Sequence, residues 1–364
     1  SKESDIPNNL RVGLEVHQGK RSLILDNATT PGREVFNKLV CWADIVVHNI
    51  LDDTAKRLGV THTQLQGINP KVVSCQLTCF GGTWRGRGGW EMRPGYDGEA
   101  QVPSGVMVHY GSLENPQGHG GLSNDVMTGL ALAFSSLLGL YQKRKTGYAG
   151  EGRASLARSA CFNQLPCMIS EKGDSNWGEP RGQLAVGPHW WQRLYQCRDG
   201  WIFASASEER SAVFAETVVG QNTADAQTLE PAFAEHDCAY WQDKLNAADI
   251  GCHRVVSVDD ICAQGIRKVS NEAADETASG STEVLCWDAH PCTIPIICLA
   301  PNWVCVGDKH SYRRLTPASK RGEHTIEILQ ELGYPEEEIA ELIRIRVAHE
   351  YLPAIGNKDQ YFFE

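Results

Sequence analysis

The chain has 364 residues, 22% of them charged and 41% hydrophobic. That is room for two domains or one large one with a sizeable core, in an ordinary globular composition. Acidic residues outnumber basic ones by 45 to 34, and a net charge of −11 argues against a duplex nucleic-acid binder or a surface for anionic lipid. No run of about twenty apolar residues offers a membrane span, and the polar opening Ser1-Lys2-Glu3-Ser4-Asp5 is unlike a signal peptide.

The 13 cysteines are scattered, with Cys75 and Cys79 four apart and no C-x-x-C pair. No metal site is expected from such spacing, and free thiols in a reducing cytoplasm are the simplest reading.

In chain order, Ser22-Leu-Ile-Leu-Asp26 reads as a short strand. Thr30, as N-cap, and Pro31, as first helical residue, open a helix with Val35, Phe36, Leu39 and Val40 on one face. Asp44–His48 has the pattern of a buried strand, Asp53–Leu58 that of a short helix, and Val72–Thr78 that of another strand. This alternation predicts an α/β fold with parallel pairing. Phe80–Gly95, rich in Gly, Arg and Trp, is a loop. A long helix is predicted from about Asp125 to Lys145, its last turn carrying Lys143, Arg144 and Lys145 where cations suit the dipole. Another helix is predicted over Ala154–Met168, then a linker over 169–189.

The texture changes after residue 190. Short strands are predicted at Leu194–Cys197 and Trp201–Ala206, helices around Trp241–Ala248 and Val258–Gly265, and an exposed loop over Asn271–Thr282. The end is helical, over Glu323–Leu332 and, led by Pro335-Glu-Glu-Glu, over Ile339–Ala348. The predicted organisation is a large α/β domain over 1–185, to which 308–364 returns, and a small domain over 186–307.

Four places carry chemistry. In Gly121-Leu-Ser-Asn-Asp125-Val-Met-Thr-Gly129, a carboxylate stands at the start of the long helix. A helix N-terminus favours an ionised carboxylate, which is a competent nucleophile toward an acyl carbon. The alternative is that Asp125 or Asn124 merely caps the helix. Lys20, Arg21 and Arg57 are candidates for the phosphates of a nucleotide-like ligand, or solvated surface charge. The loop Trp84–Asp97 combines glycines that allow close backbone approach with aromatics able to hold a cationic head group, worth roughly 0.5–2 kcal/mol per contact. His109 and His119 are candidate proton carriers or ordinary packed histidines.

Taken together and in order, these segments resemble the class III CoA-transferases, the carnitine CoA-transferase (CaiB–BaiF) family. The resemblance runs through Lys20-Arg21-Ser22 with Leu25-Asp26, Ala43-Asp44-Ile-Val-Val-His-Asn49, Arg57-Leu58-Gly59, Asn69-Pro70, Phe80-Gly81 and Gly95-Tyr96-Asp97. It continues through Asn124-Asp125-Val-Met-Thr-Gly129, Lys145-Thr146-Gly147, Asp199-Gly200-Trp201, and the closing Gly322-Glu-His-Thr325 with Leu332-Gly333-Tyr334. It implies a Rossmann-like large domain with a parallel sheet, a smaller α+β domain, and an interlocked dimer. It implies Asp125 as the nucleophile that carries CoA as a thioester, and coenzyme A, delivered as acyl-CoA, as the cosubstrate. Lys20, Arg21, Asn49 and Arg57 become candidate CoA contacts, with Tyr96 and Asp97 near the reacting centre.

One departure stands out. Family members open with a further strand–helix unit that this sequence lacks, so a companion chain or lobe is expected to complete the CoA site. Two-lobed members include dimethylsulfoniopropionate CoA-transferase/lyases, and the aromatic loop suits such an onium substrate. Alternatives are transfer to another acid (carnitine, a dicarboxylate, a bile acid), an α-methylacyl-CoA racemase-type isomerase, or a non-catalytic lobe.

Overall fold

A computed structural model describes residues 17, 19–82, 89–90, 92–119, 123–164, 185–257, 260, 319 and 321–350, together with the backbone of five short strands between 168 and 299. The chain divides into two compact units, Ser1–Trp42 with Val256–Glu364, and Ala43–Val255.

The first unit joins chain segments three hundred residues apart. β1 (Ile24–Leu25) pairs antiparallel with β13 (Ala348–His349). Helix α1 (Thr30–Trp42) is capped by Thr29, whose Oγ1 accepts from Gly32 N at 3.2 Å; the predicted cap, Thr30, lies inside the helix. Gly32 is required there, since a Cβ would stand 1.8 Å from the Asp26 carbonyl oxygen. Val35 and Leu39 of α1 pack against Leu329 of α11 (Thr325–Glu331), Leu342 of α12 (Glu336–Arg344) and Val347. The helix predicted to reach Ala348 ends at Arg344. Arg346 turns the chain with φ +61°, and Ala348 enters β13. Three further short strands, β10 (Ile266–Val269), β11 (Val284–Trp287) and β12 (Ile296–Leu299), form a sheet with a parallel and an antiparallel pair. The predicted helix at Val258–Gly265 and loop at Asn271–Thr282 lie outside the described residues, apart from Asp260.

In the second unit, β2 (Ile45–His48), β3 (Val73–Thr78) and β4 (Glu151–Ser155) form a parallel sheet in that order. Helices α2 (Asp52–Leu58) and α3 (His62–Ile68) connect β2 to β3. Gly59, with φ 71°, terminates α2, and a Thr61–Gln64 capping box starts α3. Between β3 and β4 run α4 (Asp97–Ser104), α5 (Val106–Tyr110) and the long α6 (Ser123–Thr146). With 24 residues, α6 extends about 36 Å. It lies against β3 and β4 through two glycines: a Cβ at Gly139 would meet Val73 Cγ1 of β3 at 2.5 Å, and one at Gly152 of β4 would meet Ser135 Cβ of α6 at 3.1 Å.

The helix predicted over Ala154–Met168 is corrected to the end of β4 followed by α7 (Leu156–Phe162). Ser155 ends the strand and caps α7, accepting from Arg158 N at 3.2 Å. Most of the 169–189 linker lies outside the described residues; β5 (Met168–Ile169) pairs with β6 (Ser175–Asn176).

Residues 190–255 make an antiparallel sheet, β7 (Gln192–Cys197), β8 (Gly200–Ser205) and β9 (Gly251–Arg254), with helices α8 (Ser211–Val219), α9 (Ala226–Ala234) and α10 (Cys238–Ala247). Alternation along β7 and β8 turns Tyr195, Cys197, Ile202 and Ala204 into a core shared with Phe214, Phe233 and Trp241. The buried Trp241 donates its indole N–H to the Phe233 carbonyl at 3.0 Å, so the largest core residue leaves no orphan polar group. Among the described residues no helix is long and apolar enough to cross a membrane.

Candidate active site

Asp125 lies in the first turn of α6, half-buried. Neither it nor Asn124 acts as that helix's N-cap; a carboxylate from another element takes up the free N–H groups. Asp97, the first residue of α4, is 6% exposed. Its Oδ2 accepts from the backbone N–H of Asn124 at 2.9 Å and of Asp125 at 3.1 Å. Its Oδ1 accepts from Asn124 Nδ2 at 2.8 Å and from Gln101 Nε2 at 2.6 Å. Four donors on one carboxylate satisfy a group that burial would otherwise penalise.

Asn124 is fixed from the other side. Asn163, just after α7, donates to its Oδ1 at 2.8 Å, and Thr128 Oγ1 donates to the Asn124 carbonyl while lying 2.7 Å from Ser159 Oγ, which can donate to it. Gln101 also holds the segment ahead of α6, exchanging hydrogen bonds with the His119 backbone at 2.8 and 2.9 Å. The His119 ring Nδ1 lies 2.7 Å from Ser123 Oγ, and Tyr110 stacks beside that ring at 4.3 Å.

The electrostatics separate the two acids. Burial raises the Asp125 pKa, and the Asp97 charge raises it further. For Asp97 burial acts upward too, but the hydrogen bonds from Gln101, Asn124 and the backbone outweigh it and hold its pKa below the ordinary carboxylate value. Cys79, whose thiol contacts the Tyr96 carbonyl, is pushed up to about 11 by burial and by Glu99, Asp125 and Asp97. It therefore stays a neutral thiol beside the pair.

Tyr96 is 81% exposed at the start of α4, its N–H bound by Glu99 at 2.9 Å. In the loop ahead of it, Trp90 stands edge-on to Phe80 at 5.4 Å and carries the Arg93 guanidinium over its ring at 4.8 Å. Trp84 lies outside the described residues.

The sequence-derived candidates thus fall into separate groups. Asp125, Asp97 and Tyr96 come together at the ends of α4 and α6. Asn49 and Arg57 are exposed, after β2 and in α2. Lys20 and Arg21 belong to the other unit. Arg21 is committed to Glu331 and Glu327 at 2.7–2.8 Å, and the Lys20 ammonium lies 3.1 Å from His17 Nδ1.

A polar cavity of about 280 Å³ opens between α2 and the sheet, lined among others by His48, Asp52, His62, Gln76, Glu151 and Arg153. Arg153 bridges Asp52 and Glu151, burial lowers the His48 pKa, and neither Asn49 nor Arg57 lines the space. Sequence reasoning did not single out this cavity, nor Gln101 and Asn163. The one local signal was the Tyr96-x-x-Glu99 spacing of a helix start. Among the described residues no group of three or more His, Cys, Asp or Glu is placed to hold a metal ion.

A parallel sheet with a carboxylate at a helix start beside it is followed in the chain by an antiparallel sheet. Residues 11–278 match the family model described as CoA-transferase family III. The chain belongs to that family.

Among curated proteins it is 32% identical over 349 residues to the CoA-transferase/lyase DddD of Marinomonas sp., covering 92% of this chain and 41% of that protein. It is 27% identical over 203 residues to the human succinyl-CoA:glutarate CoA-transferase, covering 54% of this chain and 44% of the relative. The chain therefore spans less than half the length of these two relatives. The match to the (R)-2-hydroxy-4-methylpentanoate CoA-transferase of Clostridioides difficile is 24% identical and covers 90% of this chain and 82% of the relative. Among solved structures, a CAIB/BAIF family protein from Brucella suis superposes with TM-score 0.66 at 20% identity, covering 88% of this chain and 83% of that one. That likeness is one of fold.

Proposed function

We propose that this chain carries the nucleophile of a class III CoA-transferase and that Asp125 is that nucleophile. The reading is carried by one observation: Asp125 stands half-buried at a helix start whose capping is done by Asp97, so its own carboxylate is not consumed as a cap.

In the proposed reaction, an Asp125 oxygen attacks the acyl carbon of acyl-CoA and the CoA thiolate leaves, giving a mixed anhydride. The thiolate attacks Cγ of Asp125 and releases the donor acid, leaving an aspartyl-CoA thioester. The acceptor carboxylate attacks that thioester and expels the thiolate, which then takes the acyl group from the second anhydride and restores the Asp125 carboxylate. Each step exchanges one leaving group for one nucleophile, with no net proton.

The test is intact-protein mass after brief incubation with acetyl-CoA. A CoA-sized adduct is expected, absent in Asp125→Ala and removed by hydroxylamine. A folded protein that gains no adduct from a panel of acyl-CoA donors would sink the assignment.

For the acceptor we propose dimethylsulfoniopropionate, with base-promoted loss of dimethyl sulfide after transfer. Two points support this: the similarity to a protein named CoA-transferase/lyase along nearly the whole chain, and aromatic groups in the segment that leads into Asp97. Tyr96 is largely exposed, and Trp90 already holds a cation on its face. Dimethyl sulfide released from the zwitterion plus acetyl-CoA is the expected result. Transfer to other acids without sulfide release would leave Asp125 in place and remove this substrate.

We propose further that the working assembly contains a second fold of the same kind, as a second copy or a companion lobe. The long helix α6 supports this. It carries no charged residue from Val126 to Gln142, yet Val126, Leu130, Phe134, Leu137, Leu138 and Tyr141 are each 42–63% exposed. A contiguous exposed apolar face of this size is normally covered.

A further inference from the structure

We infer that Asp97 is a positioning residue for Asp125. It fixes the first turn of α6 and keeps a second negative charge beside the nucleophile, a repulsion that ends when Asp125 becomes an acyl or thioester carbonyl. This rests on the reading of Asp125 as nucleophile and goes beyond it.

The geometry sets Asp97 apart from a ligand contact. All four of its hydrogen bonds run to protein donors, two of them the backbone N–H groups of residues 124 and 125, and only 6% of the residue is exposed. The hydrogen-bond chain continues through Asn124 to Asn163, so the nucleophile's turn is clamped between α4 and the end of α7.

The charge argument follows from the same contacts. A carboxylate with four donors stays anionic. Asp125 therefore meets a fixed negative charge while free, and the anhydride and thioester forms, which are neutral at that side chain, do not. The free nucleophile is made more basic, and its covalent states gain relative to it. Among the described residues, the other titratable groups around this end include Tyr96 and Glu99 at the start of α4, Cys79 after β3, and His119 with Tyr110 ahead of α6.

The experiment follows the aspartyl-CoA adduct by intact mass across pH, at fixed acetyl-CoA, in four proteins. In Asp97→Asn the adduct fraction is expected to fall about tenfold, with the pH midpoint of its formation moving down by about one unit. Asp97→Glu should recover part of both. Asn163→Ala loosens the same helix end without altering charge and should leave the midpoint in place. If the wild type forms the adduct and Asp97→Asn keeps its fraction and midpoint, the inference is overturned while Asp125 stands. If the wild type forms none, both fall together. Should Asp97→Asn not fold, the coupling is read in reverse by carboxyl NMR: the Asp97 midpoint should drop in Asp125→Asn, and an unmoved midpoint would refute the coupling.

Discussion

At the scale of single residues, Asp125 carries an electrostatic cost from its burial and from the Asp97 charge. An acid whose folded pKa is raised makes the fold bind more protons than the unfolded chain between the two values, so stability falls as pH rises through that window. Above the folded value the whole cost is present. Asp125→Asn is therefore expected to be more stable than wild type at pH 7, with the gain vanishing below about pH 4; thermal unfolding across pH checks it. A gain that persisted in acid would point to packing rather than charge. Asp97 has the opposite sign. Its folded pKa is depressed, so its contribution is full above the ordinary carboxylate value and is lost as pH falls through the folded one. The sequence made Asp125 visible because a glycine-flanked acid at a helix start is a local pattern. The role of Asp97 was not legible, because its donors lie 4, 27 and 28 residues away and only the fold assembles them.

At the scale of elements, what could be read depended on whether a segment carries its own period. Long α6, α1 and strands β2, β3, β7 and β8 show their apolar spacing in the sequence, and all were predicted within a few residues. Strand β4 was not. Glu151-Gly-Arg-Ala-Ser155 has no strand pattern of its own, and its extended form is imposed by parallel pairing with β3. Short helices α3, α4 and α5 were missed for a related reason: none carries a sustained stripe, and α3 and α4 start at capping boxes instead. The exposed stripe of α6 gives this scale its prediction. Leu137→Glu places a charge in the middle of that face and is expected to convert the assembly to a smaller species in light scattering, with little change in the protomer's own helicity. A wild type that is already monomeric, unaffected by the substitution, would count against a covering partner.

At the scale of the molecule, the first unit is held by pairings that no local signal announces. Ser22, Ile24 and Arg21 bond to Gly322, Thr325, Glu327 and Glu331, and Val35 packs on Leu329. Leu329→Ala, at a side chain with no exposure, is expected to cost about 2–5 kcal/mol, measured as a lower urea midpoint. A drop near zero would mean that this cluster is not a core.

The closure of β1 by β13 also has a consequence in time. During synthesis, β1 and α1 emerge well before their partners; at about 5–20 residues per second, the intervening three hundred residues take roughly 15–60 s. Through that interval the apolar face of α1 has no native cover. The nascent chain should thus be a client for whatever binds exposed hydrophobic segments near the ribosome, and a circular permutant that joins the two partners early in the chain would shorten that exposure.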